Sequence, residues 1–333
     1  MAVSIRDVAS RAGVSFTTVS KVLNERPGDR TAPETRLRVV QAAQELGYRP
    51  NAVAQSLRSR TTDIIGFYTG LISLDIMDPF HGAVLNGLQH GCEEHHKDLL
   101  IHRKFFGDSP EEIYKDLSNR KVDGIVLPSG CDDEIVQRLK ASSFPAVGLA
   151  APDAGLSSVY VDSVHGFRLV AAHLAEKGHR RVLYRTQRRD PEIKIEDSER
   201  RCHAFAAASA AYGMEVLVTE APEDGVVTEE EKSLLLAPPS KRPTAVACWN
   251  DRYAHQMMTF CRRHGLQTPG DLAVAGFDGF TLPYDPAYQL TTVRAPWEEC
   301  ARTAIGLVVT MTGGNPVPDE TVLPVELIHG DTT

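Results

Sequence analysis

Between Ser15 and Asn24 the chain carries side chains suited to gripping a nucleic acid. Phe16, Thr17, Thr18, Ser20, Lys21 and Asn24 are interleaved with Val19, Val22 and Leu23. Hydroxyls and an amide hydrogen-bond phosphates and base edges, a lysine donates to guanine O6/N7, and a phenylalanine lies against a thymine methyl. The apolar members recur at helical spacing, so the polar members are expected to face outward. Such a face needs a support, and the residues before it supply one. Ser4 and Asp7 stand three apart ahead of Ile5, Val8 and Ala12, the spacing of a capping box that opens a short helix. Gly13 can take the left-handed conformation that closes that helix, and Ser15 is placed to cap the next. Two short helices about one glycine read as a helix-turn-helix with its recognition helix second. An ordinary helical hairpin with a polar face is the bland alternative, and the rest of the chain weighs against it.

The charge distribution is the first such weight. The chain has 333 residues and a formal net charge of −8, which taken alone argues against nucleic acid. Residues 1–62, however, hold ten Lys/Arg against five Asp/Glu, a net of +5, which leaves −13 for the remainder. A basic head on an acidic body puts the footprint for phosphates on the head. Within it, Thr31 and Glu34 form a second capping-box pattern, and Leu37, Val40, Ala43 and Leu46 outline a third helix ending at Gly47. The expected small bundle buries Val8, Val19, Val22, Val40 and Leu46. Pro50 then forces an extended entry, and Asn51 can cap a helix over residues 52–57 that is too short to persist alone. This stretch is either a basic linker or a hinge that folds on DNA, with Leu57 as an apolar wedge in the minor groove and Arg58 near phosphate.

The ordered runs DVAxxAGVSxxTVSxxLN (Asp7 to Asn24) and LGYRPNAVAQSLR (Leu46 to Arg58) resemble the LacI/GalR family of bacterial transcriptional repressors. The resemblance extends over essentially the whole chain. It implies that Phe16, Thr17 and Lys21 read bases, that Ser15, Thr18, Ser20 and Asn24 hold phosphates, and that Leu57 is the intercalating hinge leucine. Asn51 and Arg58 complete the expected DNA-contacting set.

From Asp63 onward, short apolar runs alternate with amphipathic stretches, the pattern of an α/β fold with parallel, doubly wound sheets. About 270 residues is long for one such sheet, so two lobes are expected. The family resemblance makes this a periplasmic-binding-protein-like core, carrying VDGIVLP at 122–128, VDSVHGF at 161–167, NDRYA at 250–254, VAGFDGF at 274–280 and LTTVRAP at 290–296. The expected division is an all-α head at 1–48 and a hinge at 49–62, followed by a first lobe of 63–162 with 291–322 and a second of 163–290 with 323–333. The chain would cross between lobes near Asp162, Leu290 and Val322–Pro324. Asp162, Arg201, Asn250 and Asp278 match positions that line the family's effector cleft. Carboxylates and an amide accept from sugar hydroxyls and a guanidinium donates, so the set suits a polyhydroxylated ligand. Trp249 can stack on a sugar face or serve as an ordinary core tryptophan. Where the family has Asn-Pro-Phe-Phe after the first strand, this chain has Asp78-Pro79-Phe80-His81, which changes the charge at the pocket's edge and leaves the ligand's identity open.

No P-loop, dinucleotide fingerprint or nucleophile elbow is present, and no cofactor is expected. The segment HGCEEHH at 90–96 holds metal-ligand types at mixed spacings, which a solvated helix face explains better than a metal site. Six cysteines without a CxxC pair point to reduced thiols, and no signal segment or membrane-spanning run is seen, so the protein is expected in the cytoplasm. The expected function is a homodimeric repressor of a near-palindromic operator in double-stranded DNA, controlled by a carbohydrate effector and without a membrane partner. A solute-binding module without a regulatory role and a sugar-acting α/β enzyme are the competing classes.

Overall fold

The computed structural model describes residues 3–23, 31–49, 51, 56, 59, 61–70, 74–75, 77–103, 108–128, 131–152, 155–188, 196–222, 224–280 and 288–333, with the side chains of 196 and 197 left aside. Residues 1–62 and 63–333 form two compact units.

The head unit consists of α1 (Ile5–Ala12), α2 (Phe16–Leu23) and α3 (Pro33–Leu46) among its described residues. The backbone N–H and the hydroxyl of Ser4 each donate to the Asp7 carboxylate at 2.8 Å, which fixes the start of α1. Gly13, at φ 66°, closes it. Val8, Ala12, Val19, Val22, Val39 and Ala42 fill the centre. The third helix departs from its sequence expectation in two ways. Ala32, not Thr31, is its N-cap, because Pro33 occupies the first helical position and holds the residue before it extended. Its buried stripe is Val39, Ala42, Ala43 and partly Leu46, while Leu37 and Val40 stand 70% and 39% exposed. Both stripes have helical spacing and share Ala43 and Leu46. The one with the smaller side chains faces inward.

The core unit contains two six-stranded sheets. The first is built from β1 (Ile64–Tyr68), β2 (Asp98–His102), β3 (Gly124–Pro128), β4 (Ala146–Leu149), β5 (Ser157–Val161) and β11 (Glu320–Leu323), in the order β11-β5-β4-β3-β1-β2 and parallel throughout. The second is built from β6 (Arg181–Gln187), β7 (Glu215–Ala221), β8 (Ala245–Cys248), β9 (Ala273–Asp278), β10 (Thr291–Arg294) and β12 (Glu326–Ile328), in the order β12-β10-β9-β8-β6-β7. All of its pairs are parallel except β10 with β12. Strands such as β4 and β8 are buried at every residue, as sheets covered on both faces require.

The connecting helices are α4 (Pro79–Glu94), α5 (Pro110–Leu117), α6 (Asp133–Ala141), α7 (Ser163–Glu176), α8 (Glu196–Ala211), α9 (Glu229–Leu235), α10 (Asp251–His264) and α11 (Trp297–Thr312). Helices α4 and α11 pack closely because Gly87 and Gly91, one turn apart, present no side chain. A Cβ on Gly87 would meet the backbone of Glu298, and one on Gly91 would meet Ile305 at 2.8 Å. On the same helices His90 pairs with Glu298 at 2.9 Å and Glu94 with Arg302 at 3.2 Å, so two of the metal-ligand types in the 90–96 segment are engaged in helix–helix contacts. None of the described helices is long and apolar enough to cross a membrane.

The sheets correct one crossing point and move the boundary at another by a single residue. Thr291–Arg294, expected in the first lobe, pairs with β9 in the second sheet, so the chain crosses after Arg294 rather than near Leu290. Val322 and Leu323 pair with β5 in the first sheet, and only Glu326–Ile328 joins the second. The TTVR run is too short and too polar to announce a strand by itself. Its pairing is decided by neighbours distant in sequence.

Candidate DNA-contacting helix and ligand cleft

Helix α2 is held by Val19 and Val22, which are 0% and 2% exposed. Phe16, Thr17 and Lys21 are exposed, Phe16 to 55%. At the start of the helix the Ser15 hydroxyl accepts from the Thr18 backbone N–H at 3.2 Å and shares hydrogen bonds with the Thr17 and Thr18 hydroxyls at 2.6 and 2.9 Å. Three hydroxyls thus gather where backbone N–H groups also point outward, an arrangement able to hold an anionic oxygen. Ser20 departs from the expectation of an outward-facing residue. It is 6% exposed, because its short side chain lies at the flank of the buried stripe. Thr18 is half-buried, and Asn51 is exposed. The expectations for Asn24, Leu57 and Arg58 lie outside the described residues.

In the core, the polar residues gather beyond the carboxyl ends of the strands, where open α/β sheets bind ligands. Asp78 follows β1 and caps α4, its Oδ1 accepting from the Phe80 N–H at 2.9 Å. His81 turns away from that role. Its Nδ1 accepts from the Asp75 N–H at 3.1 Å. Asn250 follows β8 and caps α10, accepting from the Tyr253 N–H at 3.0 Å. Asp278 ends β9 at φ 128°, a backbone conformation that costs a non-glycine residue about 1–3 kcal/mol. Its Oδ1 accepts from the Trp297 indole N–H at 3.0 Å. Arg201, only 3% exposed, donates to the Trp249 carbonyl at 3.0 Å and lies 4.1 Å from the Phe277 ring centre. Phe80 meets Trp297 edge-on, with ring centres 5.0 Å apart.

Asp78, Asn250 and Asp278 line one cavity of about 900 Å³, together with Asp75, Asp251, Arg252, His255 and Phe280. The other expected residues stand outside its lining. Asp162 caps α7, accepting from the His165 N–H at 2.9 Å, and lies at the first crossing. Arg201 and Trp249 form a layer behind Asp278 and Trp297, with Arg201 5.5 and 5.9 Å from the two indoles. His81 flanks the cavity on α4.

Comparison with known proteins places this geometry. Residues 4–51 match the family described as bacterial regulatory proteins, lacI family, and residues 171–333 match a periplasmic binding protein-like domain. The HTH-type transcriptional repressor PurR of Aliivibrio fischeri is 30% identical over 314 residues, covering 92% of this chain and 90% of that protein. The chain belongs to the lacI family. Another relative, the HTH-type transcriptional regulator GalR of Escherichia coli, is 29% identical over 96% of this chain and 92% of its own length. Among solved structures, the Lac repressor dimer bound to operator and the anti-inducer ONPF superposes with a TM-score of 0.83 at 21% identity, over 100% of this chain and 99% of that one. The complex of the transcriptional regulator CelR with cellobiose gives 0.71 at 27% identity, over 99% and 100%. The relatives are regulators, not enzymes.

Within this lacI-family core, the second lobe carries a pair of buried acids at the cavity. Asp251, which the sequence does not single out, is 3% exposed and accepts from the N–H groups of Gly279 and Phe280 at 2.8 and 3.1 Å and from the Thr292 hydroxyl. Burial pushes its carboxyl up to about 6, against the pull of those donors. Burial and the neighbouring Asp251 charge push Asp278 well above the carboxylate range, with Arg201 pulling the other way. Asp251 has the richer set of donors, so of the pair it is the more readily ionised and Asp278 the more readily protonated. A protonated Asp278 can donate to a ligand oxygen as well as accept. Asp251 adjoins Asn250 in the NDRYA motif and Trp297 follows LTTVRAP, so sequence position alone is the available signal for both. Arg252, on the cavity wall, pairs with Asp78 at 3.8 Å.

Proposed function

We propose that the chain is a sequence-specific DNA-binding repressor whose operator affinity is set by a small polyhydroxylated molecule, a sugar or sugar derivative, bound in the core cleft. Two copies act as a homodimer on a near-palindromic operator in double-stranded DNA, in the cytoplasm. The observation that carries this reading is helix α2, where Val19 and Val22 are buried while Phe16, Thr17 and Lys21 project. Ser15 and Thr18 serve phosphates beside them, and Asn24, Asn51, Leu57 and Arg58 complete the set. The relatives are named as repressors and regulators, and CelR was solved with cellobiose. In the cleft, Asp78, Asn250 and Asp278 contact the effector, and Asp162, Arg201, Trp249 and His81 shape it. The working division is head 1–48, hinge 49–62, first lobe 63–162 with 295–323, and second lobe 163–294 with 324–333.

Selection of bound sequences from random duplex DNA tests the proposal. A two-fold symmetric site is the expected result, with the complex either released or strengthened when the right sugar or phosphosugar is added. No enriched site, with or without sugars, overturns it in favour of a solute-binding core. A salt titration accompanies the selection. Removing one side chain that neutralises a phosphate makes the negative slope of log affinity on log salt shallower by roughly 0.9, so Lys21→Ala should flatten it if Lys21 grips phosphate and leave it intact if Lys21 reads a base.

A further inference from the structure

The cavity is bridged by one charged contact between the lobes among its described residues. Asp78 stands at the N-terminus of α4 in the first lobe, and Arg252 is the second residue of α10 in the second, their side chains 21% and 47% exposed. The two oxygens of Asp78 divide their work. Oδ1 is fixed by the Phe80 N–H at 2.9 Å, and Oδ2 faces Arg252 Nη1 at 3.8 Å. Arg252 is also held at its base, since Asp251 is anchored inward by Gly279, Phe280 and Thr292 and so turns its neighbour toward the cavity. A cation in the first turn of a helix sits at the unfavourable end of the helix dipole. Nothing within α10 offsets this for Arg252, because Asp251 is committed to the β9–β10 side. The Asp78 carboxylate across the cavity does.

We propose that the Asp78–Arg252 pair is an inter-lobe latch that favours the closed arrangement of the cleft. It rests on reading this cleft as the regulatory site and supplies that site's closing device. A ligand entering between α4 and α10 has to lengthen or replace this contact, so the latch sets how much binding must accomplish before the lobes shift. Being half exposed, it weakens with ionic strength.

The protein carries its own reporter. Its two tryptophans adjoin this cavity, Trp297 through its hydrogen bond to the lining residue Asp278 and Trp249 as the chain neighbour of the lining residue Asn250, and Trp297 is only 3% exposed. Acrylamide quenching of intrinsic fluorescence in the full-length, ligand-free protein therefore reads cleft opening. Raising NaCl from about 20 mM to about 500 mM, which cuts the screening length from roughly 20 Å to under 5 Å, should raise the wild-type quenching constant by about two-fold. Asp78→Asn keeps the helix cap and removes the charge, and Arg252→Gln acts from the other lobe. Each should show the high constant already at low salt, with no further rise, and the double variant should match the singles. Wild-type behaviour in both variants overturns the latch. So does a change in only one of the two single variants, which assigns the effect to that side chain's own surroundings and not to the pair, or an additive double variant, which assigns it to local exposure of Trp249. None of these outcomes touches the effector reading, which the sugar additions to the DNA complex test separately.

Discussion

The two sheets share one wiring and differ in what they bury. The strand order β2-β1-β3-β4-β5-β11 in the first repeats as β7-β6-β8-β9-β10-β12 in the second. Ile65 pairs with the first residue of β3 and Val182 with the first residue of β8, so Tyr68 and Arg185, three residues further on, occupy equivalent places. Tyr68 sits among Ile113, Leu117, Leu127 and Ile135. Arg185 is 0% exposed, and its guanidinium donates to Glu231 at 2.7 Å and to the Gly225 and Val226 carbonyls at 2.7 and 3.1 Å. Thr219 donates to the same carboxylate at 3.0 Å, and the Tyr253 ring lies 5.0 Å from the guanidinium carbon. One topology accepts an apolar cluster or a saturated ion pair at the same place. The polar version ties β6 to α9 and to α10, the helix that presents Asn250, Asp251 and Arg252 to the cleft. The second lobe thus uses its interior to fix the site's wall, while the first packs as an ordinary core.

The largest expected effect breaks the polar version. Glu231→Ala leaves a buried guanidinium without its carboxylate and should cost about 3–5 kcal/mol in urea unfolding followed by circular dichroism. Replacing both partners, Arg185→Met with Glu231→Leu, should recover most of that loss, because two desolvated charges are removed together. A loss of under about 1 kcal/mol in the single variant would mean that water reaches the pair and that the lobes do not differ in the way described.

A middle-sized effect sharpens the comparison at the cleft. Asp278 binds its proton more tightly folded than unfolded, as does Asp251. The unfolded chain then binds fewer protons than the folded one as pH rises above about 4, so these groups contribute stability at low pH that falls as pH rises. Asp278→Asn removes that dependence at one site. Its melting temperature relative to wild type should therefore climb between about pH 5 and pH 8. A difference that is flat or falls across this range would place an ionised Asp278 in the cleft and make it an acceptor only.

The same contrast explains what is legible in the sequence. The head is readable because its determinants are local. The Ser4–Asp7 box, Gly13 and the Val19–Val22 spacing act within one or two turns, and all appear in the structure. Even there, Val39 rather than Val40 faces inward, since two helical stripes share residues and only tertiary packing chooses between them. In the core, apolar runs mark most strands, yet TTVR carries no strand signal of its own because its place depends on pairing with β9 and β12. The candidate site is legible where motif position coincides with a strand end, as at Asn250 and Asp278, which line the cavity. It is not legible at Asp251, Arg252 and Trp297, whose roles arise from partners 28, 174 and 19 residues away. Arg185 gives no signal at all, because a charge in an apolar strand looks like a strand's end until Glu231 is placed beside it.

The smallest expected effect tests the apolar side of the comparison. Tyr68 is 2% exposed, and burial, with smaller contributions from Cys131, Asp132 and Asp108, raises its phenol well above the ordinary range. The phenol therefore stays neutral at any pH at which the protein is handled, and its ring supplies the packing. Tyr68→Phe keeps every ring contact and deletes one neutral hydroxyl, a change expected to stay within about 1 kcal/mol by the same urea unfolding. That would be several-fold less than the loss at Glu231, although both variants strike the same place in the shared topology. If Tyr68→Phe instead cost as much as breaking the ion pair, the hydroxyl would belong to a polar network under the first sheet as binding as the one under the second. The two lobes would then differ in residue type but not in how their interiors are held.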